Sequence, residues 1–158
     1  MHAEGTQPTL ESILAEEVRC TDRLLSCMAE ERTALVARNM HALQSSIEDK
    51  VKHTQQLESL EQQREAAMKA LGFQADKVQQ CIEAQPRTER LQALWTQVLE
   101  NTAACRDANL SNGGILESGR QHVELALGIL RGQSGAPALY NTAGNTAADL
   151  GQRDLGKV

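Results

Sequence analysis

Two columns of residues spaced seven apart run through the second half of this chain without a change of phase. One is Leu91, Val98, Cys105, Asn112, Gly119 and Ala126; the other is Trp95, Thr102, Asn109, Leu116, Val123 and Leu130. A helix returns residues seven apart to one side, so constant phase points to one continuous helix, from about Arg87 to Arg131. Gly113 and Gly114 sit in its middle. Each glycine costs a helix interior about 1 kcal/mol relative to alanine, but a loop there would reset the phase. The pair is therefore expected as a weak point within one helix.

The same period marks two earlier helices. Thr9, after Pro8, is a fitting N-cap. Leu14, Thr21, Met28 and Leu35, beside Ile13, Cys20, Cys27 and Ala34, form a stripe that lasts to about Ala37. Asn39 then caps a second helix, and so short a link favours a hairpin of antiparallel neighbours. That helix runs from about Met40 to Leu71 and stops at Gly72, a good C′ residue. Its seam reads Leu43, Ile47, Val51, Leu57, Leu60, Met68 and Leu71. Lys50, Glu61 and Arg64 fall on the same columns, so either this stretch lies on the surface or its charges meet partners. Asp76 is read as the cap of a short turn carrying Val78, Cys81 and Ile82, closed by Pro86.

Aromatic residues make up only 2% of the chain, so a core must come from Leu, Ile, Val, Met and Ala. Such side chains suit helix seams better than strands. The expected fold class is all-α: an elongated antiparallel bundle of three long helices over residues 9–131. Residues 132–158 hold five of the eleven glycines. They are expected to form a flexible Gly-rich tail, disordered because it buries too little apolar surface to offset ordering its backbone.

Several function classes are disfavoured. The net charge is −5 and no basic run exceeds two residues, so nucleic acid is not an expected partner. Residues 1–11 lack the apolar stretch of a secretory signal, and no apolar run reaches membrane length, which places the protein in the cytoplasm. Cys20, Cys27, Cys81 and Cys105 follow no metal-ligand or redox spacing and are expected as reduced, packed thiols. His2, His41, His53 and His122 are scattered. No phosphate loop, dinucleotide fingerprint or nucleophile elbow is present. We expect no catalytic residues, no metal, no cofactor and no small-molecule substrate: a binding protein rather than an enzyme.

Three features point to a polypeptide partner. Asn109, Asn112, Gly113 and Gly114 lie on or beside the seam of the longest helix. A buried Asn can fix register, while small and polar residues also leave room for another helix, and both readings stand. Leu116, Val123, Leu127 and Leu130, with Leu125 and Ile129 alongside, make the end of that helix apolar around much of its circumference. The excess should cover a partner or a second copy of the chain. The chain's only tyrosine, Tyr140, lies beside Leu139 and four residues before Gly144. It is either incidental or the anchor of a short motif that orders on docking.

The stretch Asn109-Leu110-Ser111-Asn112-Gly113-Gly114-Ile115-Leu116-Glu117, followed by helix and then Leu139-Tyr140-Asn141-Thr142-Ala143-Gly144, resembles the FlgN-type flagellar export chaperones. Two long N-terminal helices, Lys50, and Leu60-Glu61-Gln62-Gln63-Arg64 are similar to that family as well, so the likeness spans about residues 9–145. It implies a chaperone for hook-associated proteins, which form the hook–filament junction. Such a chaperone holds the helical C-terminal part of its client until export through the flagellar type III apparatus. By that likeness Asn109, Asn112, Gly113, Leu116, Val123, Leu127 and Leu130 would line the client groove. Tyr140 and Gly144 would dock on the cytoplasmic part of the export-gate membrane protein. The alternatives are a structural coiled-coil protein that only self-associates and an enzyme with an unrecognised site. A homodimer is compatible with both the chaperone and the self-associating coiled-coil reading.

Overall fold

A computed structural model of the chain describes residues 8–131. Among these residues all regular structure is helical, in the order α1 (Leu10–Ala37), α2 (Met40–Ala70), α3 (Val78–Glu83) and α4 (Thr88–Leu130). The long helices begin and end near where the period and the caps put them. The Thr9 hydroxyl accepts from the Ser12 amide, and the Asn39 side chain accepts from the Ala42 amide. Each satisfies an N–H that the first turn leaves without a partner. Arg38 takes the left-handed conformation (φ 54°) and turns the chain between them. Gly72, with φ 87°, follows α2 at a position that a side chain would strain.

One element differs in kind. The expected turn near Val78 is a short helix, α3. Its N-cap is Lys77, without a side-chain hydrogen bond, and not Asp76. Asp76 instead pairs with Lys77 at 3.4 Å. α3 forms because Val78, Cys81 and Ile82 return every three or four residues and are all buried.

Contacts between the helices fix their directions. Glu17 meets Arg64 and Glu31 meets Lys50, so α1 and α2 are antiparallel. Thr21 meets Asn101 and Met28 meets Asn112, so α4 runs parallel to α1. The Cys20 thiol donates to the His53 carbonyl at 3.3 Å, and the Cys27 thiol to the Ser46 carbonyl at 3.1 Å. Such side-chain-to-backbone bonds across the hairpin need closely spaced helices, which small residues permit. The four cysteines are all free and buried, and burial pushes their thiols above the usual range, which keeps them unreactive.

Among the described residues the apolar core includes two clusters. Leu10, Leu14, Met68, Val78, Cys81, Ile82, Leu91 and Leu94 pack together, with Phe73 and Trp95 at their margin. Leu24, Met28 and Cys105 form a second, smaller cluster, against which Leu57 packs. Close packing on α1 also corrects the expected seam of α2. Ile47, Val51 and Leu71 are 43%, 51% and 46% exposed, while Ser46 and Arg64 are buried in their place.

Gly113 and Gly114 lie inside α4, which is continuous across them. A Cβ added at either would meet no atom within 4 Å. Gly113→Ala with Gly114→Ala is expected to raise stability by about 2 kcal/mol, at roughly 1 kcal/mol per site. A melting temperature at or below that of the parent would show that the glycines serve the packed state.

Candidate functional site

The charges on the expected seam of α2 meet partners within the chain. Arg64, 8% exposed, donates from Nε to both carboxylate oxygens of Glu17, at 3.0 and 3.2 Å. Its guanidinium carbon also lies 4.9 Å from the centroid of the Trp95 ring. Lys50 Nζ is 3.3 Å from Glu31 and donates to Asn109 Oδ1 at 2.6 Å. A buried ion pair adds little net stability over an apolar pair, but it penalises any register that separates the charges. These links tie α2 to both α1 and α4.

Burial pushes the Glu17 carboxyl above its ordinary value of 4.5, and the Arg64 charge opposes that rise. The native state therefore keeps this proton over a window in which the unfolded chain has lost it. The contribution is full below pH 4.5 and is lost as pH rises through the folded-state value. Urea midpoints of the wild type are expected to decline across that window relative to those of Glu17→Gln. Parallel curves would contradict this.

Asn112 and Asn109 have partners inside the bundle. Asn112 is 4% exposed, and its amide donates to the Met28 carbonyl and to Glu31, each at 2.8 Å. The geometry matches the register-fixing reading: the Asn112 amide holds α4 on α1 and is not presented to solvent. Gly113, the next residue, is exposed.

Beyond Asn112 the same stripe of α4 changes character. Leu94, Val98 and Cys105 on its core side are buried. At helical spacing that side continues through Leu116, Val123, Leu127 and Leu130. These four are 60%, 59%, 42% and 82% exposed. By backbone contacts the packed unit ends at Leu116, and residues 117–131, taken by themselves, form the rest of the helix. There Arg120 pairs with Glu117 at 2.8 Å and also with Glu124. Glu117, Arg120 and Glu124 thus satisfy one another within the helix, while Leu125, Leu127 and Leu130 are exposed.

Tyr140 and Gly144 lie outside the described residues, as does the expected tail. Among the described residues no group of three or more His, Cys, Asp or Glu side chains could hold a metal ion. None of the described helices is long and apolar enough to cross a membrane. Sequence reasoning missed a second exposed apolar strip, Met40, Ile47 and Val51 on α2. Helical spacing is the signal, but it reads Ile47 and Val51 as seam residues beside Leu43 and Leu60, and Met40 only as the start of the helix.

No curated protein and no solved structure is matched by this chain. The family model described as FlgN protein matches residues 1–148, nearly the whole length. That span takes in the hairpin, α3, all of α4 and its uncovered stripe, and on this match the chain belongs to the FlgN family.

Proposed function

We propose that this protein is a cytoplasmic flagellar export chaperone. On this reading it binds the helical C-terminal region of hook-associated proteins, prevents their premature assembly and delivers them to the export gate. Membership of the FlgN family supports the class. The observation that carries the site is the abrupt exposure of one α4 stripe: Asn112 is 4% exposed, whereas Leu116 and Val123, on the same side, are 60% and 59% exposed. An amphipathic client helix would lay its apolar face on Leu116, Val123, Leu127 and Leu130. Gly113 would let its backbone approach, and Asn109 and Asn112 would act by holding α4 in place. Nothing in such binding requires a cofactor or a chemical step.

Tyr140 and Gly144 would form the docking motif for the cytoplasmic part of the export-gate membrane protein. Tyr140→Ala is expected to leave client affinity unchanged and to reduce secretion of the client. Lost affinity in that variant would instead move Tyr140 into the groove.

The class is tested by pulldown with purified hook-associated proteins, using the wild type and Leu116→Asp. Selective capture by the wild type alone supports the proposal. Capture of none of them, together with a tight oligomer whose interface includes Leu116–Leu130, would favour a self-associating coiled-coil protein.

A further inference from the structure

Beside the uncovered stripe of α4, α2 carries an exposed apolar strip of its own. On α2, Met40, Ile47 and Val51 are spaced by seven and four residues, so they share one side of the helix. They are 72%, 43% and 51% exposed. This is not the side that α1 covers, where Ser46, Leu60 and Arg64 are buried. Two open grooves meet at Ile47. One, of about 650 Å³, includes Met40, Leu43 and Glu48 in its lining; the other, of about 550 Å³, includes Val51 and Glu58. Together they follow α2 from Met40 to Glu58, roughly 27 Å or about five helical turns.

The lining also holds His41, Glu31 and Lys50. Glu48 and Glu58 are its carboxylates without a cation within ion-pair distance among the described residues. Glu48 accepts from the Gln44 amide, at 3.1 Å. The nearby cation, Lys50, is already engaged by Glu31 and Asn109. A second copy of this chain is a poor occupant, because its net charge is −5.

We propose that the α2 face from Met40 to Glu58 docks an amphipathic helix of a partner protein. The partner's apolar stripe sits on Ile47 and Val51, and its Lys or Arg flank faces Glu48 and Glu58. The named docking residues are on α2, while Glu31 of α1 and Lys50, bonded to Asn109 of α4, complete the second groove. Leu116→Asp therefore serves as the control that separates this surface from client binding on α4.

The probe is an 18-residue synthetic helix with leucines at helical spacing and lysines on both flanks, paired with the same peptide carrying glutamates instead. Both are titrated into the full-length chain and followed by fluorescence anisotropy, with circular dichroism checking that each variant is folded. The lysine peptide is expected to bind the wild type at least about 10-fold more tightly than the glutamate peptide. Ile47→Asp should abolish binding, Glu48→Lys with Glu58→Lys should remove the preference, and Leu116→Asp should bind like the wild type. Equal binding of both peptides overturns the proposal, as does binding lost in Leu116→Asp but kept in Ile47→Asp. A dimer of the free chain that Ile47→Asp dissociates overturns it too, because the face then belongs to a second copy.

Discussion

Leu116→Asp and Val123→Asp are each expected to weaken the complex with a hook-associated client by about 100-fold or more. Burying a leucine or valine at an interface contributes roughly 1.5–3 kcal/mol. An aspartate there loses that contribution and adds the cost of burying an unpaired carboxylate. At 1.4 kcal/mol for each factor of ten, the two terms together reach that figure. The fold should not change, because the side chains are 60% and 59% exposed in the free protein. Titration calorimetry with a purified client checks the affinity, and the helical circular dichroism of the free variants checks the fold. Wild-type affinity in both variants would place the client elsewhere.

Arg64→Ala should be the most destabilising single change in the polar interior, by about 3–5 kcal/mol, because it leaves a buried carboxylate without its charge partner. Glu17 is 1% exposed and Arg64 8%, so solvent does little to weaken the loss. A native domain has only about 5–15 kcal/mol to lose. The control is the double change Glu17→Leu with Arg64→Leu, which removes both charges and keeps apolar volume. It should be near neutral or stabilising, because an ion pair costs much of its attraction in desolvation. Urea unfolding gives both numbers. The chain's only tryptophan, Trp95, lies against Arg64, so its fluorescence reports the same site. A loss below about 1 kcal/mol for Arg64→Ala would show that Glu17 finds other partners or water.

The helices were legible because local chemistry decides them. Thr9 and Asn39 cap where a hydroxyl and an amide should, and the columns through Leu91 and Trp95 keep phase across Gly113 and Gly114, as the continuous α4 does. Which side of α2 faces α1 was not legible. Hydrophobic counting favours Ile47 and Val51, but the hairpin closes on Cys20, Cys27 and Ser46, small residues that let the backbones approach. That choice is tertiary, and it turns Ile47 and Val51 outward. The same choice brings Lys50 to Glu31 and Arg64 to Glu17, which the sequence displayed only as charges in the wrong columns. At the candidate site, the apolar end of α4 could be read directly. The burial of Asn112 could not, because the same spacing suits a register lock and an open groove.

The most direct test is hydrogen exchange of the full-length chain with and without a purified hook-associated protein. The account predicts slower exchange of α4 amides from Leu116 to Leu130 when the client is present. It predicts no such slowing with a client that lacks its C-terminal helical region. Unchanged exchange across Leu116–Leu130 in a demonstrated complex would contradict the assignment of that stripe as the client-binding face.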